Sequence, residues 1–425
     1  MGKEPTARTD PEGYLANRNF SRRLAKCPRT GLPVSYADFG DPDGVHVLYL
    51  LPSGCSRWLA TIQDPLAKRY GIRLIAIDRP GVGAIPMVPL KDRIRSSCEM
   101  MVSVIEDLGI KLAHMIATSG GVYYALYLLL HHPEAFISSL NPPPFLYLVA
   151  PWSPLLPASH PDYYSSAFTW LPDKLIETSH LTVPHVMKVA NTAYSAWVSS
   201  SEAVGSTWSY AKSLWSGQVP TPQRERQANS IPAPLPDTPS LSAGQAGNEN
   251  VEQESDVESY GEASFQYFSR LWKSYPAVFT DVIQAYFMAE NNGGVGQEHL
   301  LCLNRGPENT GHEWLENSVA DLARVLADAQ STGRRRNEDD GLPIPRPLNV
   351  HIWWGWEDGM VPRQGQLWFN KVIQSHPKKL RVEVHNVPDG DHGDLMMRPE
   401  GVHVLYSLIR HQGQSTIKKE KEADL

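Results

Sequence analysis

The stretch Met115-Ile116-Ala117-Thr118-Ser119-Gly120-Gly121 decides how this chain is read. An apolar run from Leu112 to Ile116 feeds a small residue, then Thr118, a serine and two glycines. A helix-like apolar pattern follows from Val122 to Leu130. That order predicts a strand, a sharp turn and a helix, with the serine hydroxyl pushed out where a substrate reaches it. Strand and helix backbones nearly touch at such a turn, and Gly120 and Gly121 supply the freedom it needs. Ser119 is therefore a candidate nucleophile.

Working outward, Val45 to Leu51 and Arg73 to Ile77 are nearly continuous apolar runs. Such runs suit strands buried on both faces of a parallel sheet. Shorter strands are predicted around Leu24–Cys27 and Val34–Phe39, with Gly40-Asp41-Pro42-Asp43-Gly44 as a turn. Helices are predicted over Trp58–Tyr70, Arg93–Leu108 and 120–132, and strands over 112–117 and Phe145–Ala150. The sheet resumes at Asn349–Trp354 and Arg381–Val387, and a helix from Gly401 to His411 closes the pattern. This alternation predicts an α/β fold with a mostly parallel central sheet flanked by helices. Active sites in such sheets gather at the C-terminal ends of the strands.

Between about Trp152 and Pro345 the alternation gives way to a helical, aromatic pattern. Phe265, Phe268, Trp272, Tyr275, Phe279, Val282 and Tyr286 recur at helical spacing, broken by Pro276. A helical insertion there is expected to cap the strand ends. Inside it, Ser216 to Ser259 has no aromatic residue, a proline-studded first half and an acidic second half. It buries too little apolar area to offset its ordering entropy, which predicts disorder. The expected division is a flexible segment 1–22, a first core part 23–152, a cap 153–346 with a disordered linker 216–259, a second core part 347–411 and a mobile tail 412–425.

The 425 residues carry a formal net charge of -7, which leaves no basic footprint for nucleic acid. Cys27, Cys55, Cys98 and Cys302 lie far apart with no CxxC, so neither a zinc site nor a disulfide framework is expected. No metal and no cofactor are expected. The first residues lack an apolar signal-peptide core, and the run Val122–Leu130 is too short to span a bilayer. A cytoplasmic protein with a small-molecule substrate is the resulting expectation.

A serine hydroxyl is a weak nucleophile unless a base takes its proton, and a carboxylate normally orients that base. Gly355-Trp356-Glu357-Asp358-Gly359-Met360-Val361-Pro362 follows the strand ending at Trp354 and places Asp358 at a strand end. Pro388-Asp389-Gly390-Asp391-His392-Gly393-Asp394 follows the strand ending near Val387 and contains His392. Asp391 and Asp394 stand as alternative acids. Asp78 and Arg57 read as fold-stabilising residues, and His114 and His351 as satisfied core histidines.

These residues resemble an α/β-hydrolase-fold protein with an inserted cap, over roughly 33–152 and 347–411. Tyr36-Ala37-Asp38-Phe39-Gly40 resembles the family's opening hairpin, and Asp78-Arg79-Pro80-Gly81-Val82-Gly83 its D-x-P-G-x-G turn. Ala117-Thr118-Ser119-Gly120-Gly121 resembles the nucleophile elbow, Gly355-Trp356-Glu357-Asp358 the acid loop and Gly390-Asp391-His392 the base loop. The resemblance implies Ser119 as nucleophile, His392 as base, Asp358 as orienter, and the backbone N–H groups of Ser53 and Gly120 as the oxyanion hole. It implies hydrolysis of a carboxylic ester, or a related acyl bond, of an apolar small molecule through an acyl-enzyme. Acyl transfer to an acceptor other than water would use the same residues. Two departures stand out. Ala117 replaces the usual elbow glycine, and Leu51-Pro52-Ser53-Gly54 replaces the usual His-Gly loop. Pro52 has no N–H. That loop favours the alternative, a non-catalytic member that binds a ligand or partner.

Overall fold

The computed structural model describes residues 5–110, 113–136, 145–164, 166, 170–179, 277–340 and 347–423. Eight strands form one sheet: β1 (Arg22–Leu24), β2 (Val34–Gly40), β3 (Val45–Leu50), β4 (Ile72–Ile77), β5 (His114–Thr118), β6 (Phe145–Val149), β7 (Leu348–Gly355) and β8 (Leu380–Val387). Their order is β1-β2-β4-β3-β5-β6-β7-β8. β1 and β2 run antiparallel to their neighbours, and every pair from β4–β3 to β7–β8 is parallel. The expected fold class is therefore the observed one.

Among the described residues the helices are α1 (Pro11–Leu15), α2 (Arg57–Ala60), α3 (Asp64–Tyr70), α4 (Arg93–Asp107), α5 (Gly121–His131), α6 (Asp173–Glu177), α7 (Ala277–Ala289), α8 (Val295–Cys302), α9 (His312–Asp340), α10 (Arg363–Ile373) and α11 (Pro399–Ala423). Because side chains alternate across a strand, the continuous apolar runs feed two cores. Leu48, Leu50, Met115, Ala117, Leu148, Ile352 and Trp354 pack with α4, α5, α9 and α10 on one face. Val47, Tyr49, Ile116, Tyr147, Val149 and Trp353 pack with α2, α3, α7 and α11 on the other. β8, at the sheet edge, alternates between buried and exposed positions instead. No helix among the described residues is long and apolar enough to cross a membrane.

Several local expectations shift. The single helix expected over Trp58–Tyr70 is broken into α2, a 3-10 turn and α3, because Pro65 opens a new helix in its first turn. The strand expected at Leu24–Cys27 lies at Arg22–Leu24. The segment 1–22, expected to be flexible, is described from residue 5 and held at single anchors: Asp10 caps α1, and Ala7, Leu15 and Phe20 are buried. Tyr14 holds it down, with its ring 5.1 Å from that of Phe20 and 5.8 Å from that of Phe279. The stretch 412–425, expected as a mobile tail, continues α11 as far as Ala423. α7 carries the second half of the expected aromatic pattern, with Phe279 and Ile283 buried; Pro276 lies outside the described residues. The linker 216–259 lies outside the described residues, as does 265–276.

Candidate active site

β5 delivers the chain into the elbow. Ser119 sits at φ 51°, a left-handed conformation that L-residues other than glycine, asparagine and aspartate seldom adopt. The strain is held from both sides. Ser119 N–H donates to Val149 O at 3.2 Å, and Ser119 O accepts from Trp152 N–H at 3.0 Å and Val122 N–H at 3.2 Å. The two glycines are needed for room. A Cβ on Gly121 would lie 2.5 Å from the main-chain oxygen of Leu50, and one on Gly120 would overlap Ser53 Oγ.

The turn after β7 carries Asp358, whose Oδ1 accepts the N–H groups of Met360 and Val361, both at 2.8 Å. Those two bonds fix the carboxylate so that Oδ2 meets His392 Nδ1 at 2.7 Å. On the other side of the ring, His392 Nε2 lies 2.8 Å from Ser119 Oγ. With Nδ1–H donating to Asp358, Nε2 is free to accept the serine proton; this tautomer follows from the hydrogen-bond network. All three side chains are buried. Burial pulls the His392 imidazolium toward deprotonation. The charge and hydrogen bond of Asp358, with the charge of Asp391, outweigh it and raise the pKa above the ordinary 6.5.

The structure thus brings Ser119, Asp358 and His392 together. It gives the alternative acids other partners. Asp391 accepts the main-chain N–H of His392, and Asp394 accepts that of Asp391 while pairing with Arg398. Ser53 and Gly120 are neighbours, with the Ser53 side chain against the Gly120 α-carbon. Ser53 Oγ also lies 3.1 Å from Cys302 Sγ.

Sequence reasoning missed what holds the Leu51–Gly54 loop. Arg79 donates to Leu51 O at 3.1 Å and Pro52 O at 2.6 Å. Its guanidinium, stacked 4.7 Å over the ring of Tyr124, also pairs with Glu298 of α8 at 3.0 Å. Glu298 further pairs with Arg93 and accepts from Tyr124 OH at 2.7 Å. Arg79, Arg93 and Glu298 are all buried. Burial alone would raise the Glu298 pKa, but the two guanidinium charges and the bonds from Tyr124 and Arg93 hold it below the usual carboxylate value. Arg79 lies inside the quoted D-x-P-G-x-G turn, so that motif was a usable signal; Glu298 had none.

Arg57 and Asp78 pair in the core as expected, and Arg57 reaches on to Glu290. His114 departs from its expectation. It is buried, but its Nδ1 finds no hydrogen-bond partner among the described residues, and it packs instead by stacking on Phe145. Its pKa is pushed down to about 4 by burial, which favours the neutral ring. A cavity of about 440 Å³ bordered by Tyr127, His131 and Trp314 touches none of Ser119, Asp358 and His392.

No protein-family model and no curated protein matches the chain. Among solved structures it is similar to a hydrolase from Pseudomonas aeruginosa PA01, at TM-score 0.46 and 15% identity over 91% of this chain and 98% of that one. It is similar to an esterase from Exiguobacterium antarcticum, at TM-score 0.43 and 15% identity over 89% and 96%. It is also similar to a bromoperoxidase from Bacillus anthracis, at TM-score 0.47 and 12% identity over 92% and 99%. The sheet order, with its antiparallel start and parallel remainder, and the serine elbow after β5 give the chain an α/β-hydrolase-type fold.

Proposed function

We propose that this chain is a serine hydrolase that cleaves a carboxylic ester, or a related acyl bond, of an apolar small molecule. The observation that carries the reading is His392, hydrogen-bonded at once to Ser119 Oγ and to a doubly anchored Asp358. Ser119 Oγ attacks the acyl carbon while His392 Nε2 takes its proton. Asp358 Oδ2 holds Nδ1–H and stabilises the imidazolium. The N–H groups of Ser53 and Gly120 receive the oxyanion, each worth about a hundred- to a thousand-fold in turnover. The imidazolium then protonates the leaving alkoxide, which departs and leaves an acyl ester on Ser119. A water deprotonated by His392 attacks that ester and releases the acid. The aromatic-rich insertion between β6 and β7 supports an apolar substrate. All four cysteines are free thiols, which supports a reducing, cytoplasmic setting.

The test is steady-state turnover of p-nitrophenyl esters of graded chain length by the wild-type chain and Ser119→Ala. Turnover by the wild type that the variant loses is the expected result. Equal turnover by both would end the reading. Adding an alcohol acceptor and identifying the products separates hydrolysis from acyl transfer. The second reading, a ligand-binding protein of the same fold, is favoured by Pro52, which brings no N–H to the loop. A folded wild-type chain inert toward every ester would select it.

A further inference from the structure

On the far strands of the sheet, away from the triad, His351 of β7 stands opposite Glu383 of β8, with His385 two residues further along β8. The register therefore puts all three on one face. His351 Nδ1 and His385 Nε2 are 3.1 Å apart. The Glu383 carboxylate sits almost symmetrically over that pair, one oxygen 3.8 Å from the first nitrogen and the other 3.7 Å from the second. We infer that His351, Glu383 and His385 form a site for a divalent transition metal, zinc by preference, that clasps β7 to β8.

The geometry decides the class of ion. Two nitrogens each about 2.05 Å from zinc are separated by roughly 3.3 Å at a tetrahedral angle and by roughly 2.9 Å at a right angle. The observed 3.1 Å lies between the two. Two imidazoles and one carboxylate suit zinc and its neighbours, whereas magnesium and calcium call for oxygen donors. Without an ion the two rings meet edge to edge, their centroids 5.4 Å apart and their planes 18° from parallel, which is the arrangement of an N–H···N bond. Binding an ion moves that shared proton to the outer nitrogen of its own ring. Each lone pair then turns roughly 40° off the line between the nitrogens to converge on an ion at the zinc–nitrogen distance. The ion settles on the side where Glu383 waits.

The surroundings favour a built site over a chance cluster. His351 lies beside Tyr147, at 5.6 Å and 21°, and Trp353, at 5.9 Å and 29°, rings that are themselves 6.3 Å apart. His385 stacks on Trp353 at 4.2 Å and 12°. These aromatic neighbours crowd the two imidazoles, whose nitrogens face each other. Arg381 is the opposing charge nearby, and Glu383 offsets it. Asp358 lies on the loop after β7 and His392 on the loop after β8, so an ion here pins the two strands that carry the acid and the base.

The test uses the full chain, dialysed against a chelator and titrated with Co²⁺, whose visible absorption reports coordination, followed by Zn²⁺ competition and thermal unfolding. One equivalent of Co²⁺ with a visible band, displaced by Zn²⁺, and a raised unfolding temperature in Zn²⁺ are expected. Removing only a residue that supports a ligand costs about 10- to 100-fold in affinity. His385→Gln and Glu383→Gln, which remove ligands themselves, should weaken binding at least that much, while His46→Gln on β3 leaves it unchanged. The Glu383 side chain is 64% exposed, so Glu383→Gln retains the fold and decides the matter if His385→Gln does not fold. No visible band at one equivalent, or equal binding by wild type and Glu383→Gln, overturns the site.

Discussion

Glu298→Gln is the perturbation that bears hardest on the Leu51–Gly54 loop, which the proposed function takes as one side of the oxyanion hole. The substitution keeps the shape of the side chain and removes its charge. Two buried guanidiniums, those of Arg79 and Arg93, then lose their shared counter-ion. Removing one partner of a buried ion pair costs about 3–5 kcal/mol, chiefly because a desolvated charge is left behind. Arg79 keeps Leu51 O and Pro52 O, and Arg93 keeps Gln297 at 2.8 Å, so the lower end of that range, about 3 kcal/mol, is expected. Arg79 also carries the loop bearing Ser53, so relaxation of its side chain should misplace one oxyanion donor, with a loss of about a hundred-fold or more in ester turnover. Urea unfolding followed by tryptophan fluorescence reads the first effect, and p-nitrophenyl ester hydrolysis reads the second. The pH dependence adds an internal check. Because the folded-state pKa of Glu298 is depressed, its stabilisation is fully present above the ordinary value of 4.5 and is lost as pH falls through the folded value. The gap between wild type and variant should therefore close in that acid range. A variant within about 0.5 kcal/mol of wild type, the size of an ordinary surface substitution, and fully active would refute this account of the loop.

Asp358→Asn should fold normally and lose about ten-thousand-fold in turnover, because an amide that donates to Nδ1 selects the wrong tautomer; full activity would remove Asp358 from the mechanism. The rate should rise with pH as His392 loses its proton, with a midpoint above 6.5 because Asp358 raises its pKa; a midpoint below 6.5 contradicts that environment. Ser119→Gly should be more stable than Ser119→Ala by about 1–2 kcal/mol, since only glycine adopts the φ of 51° without strain; equal stability would show an unstrained elbow. Gly121→Ala should destabilise the chain by about 1–3 kcal/mol in urea unfolding, because main-chain oxygen of Leu50 cannot rotate away from the new methyl; an unchanged midpoint would mean that strand and helix separate freely.

What was legible in the sequence was what short-range pattern encodes. Val45–Leu50 and Phe145–Val149 announce themselves because a strand covered on both faces needs apolar residues at nearly every position. The elbow and the two loops after β7 and β8 are also local, and their order along the chain placed Ser119, Asp358 and His392 correctly at strand ends. β1 was misplaced because its Arg-Arg-Leu carries no apolar alternation; Arg22 is instead tied to Asp38 on β2. Residues 5–22 were misjudged because Leu15 and Phe20 are single apolar anchors without periodicity. Glu298 is more than 200 positions from Arg79 and Arg93, and nothing in the residues between them marks the pairing. His351, Glu383 and His385 likewise meet only through the register of two strands, which no cysteine or histidine spacing along the chain reveals.

The most direct measurement is to treat the folded chain with a fluorophosphonate and map the adduct by peptide mass spectrometry. Phosphonylation requires a serine oxygen activated by a neighbouring base. One adduct per chain, on Ser119, and its loss in His392→Ala are the expected results. A folded chain that stays unlabelled, or one labelled at another serine, would contradict the assignment of Ser119, His392 and Asp358 as a working triad.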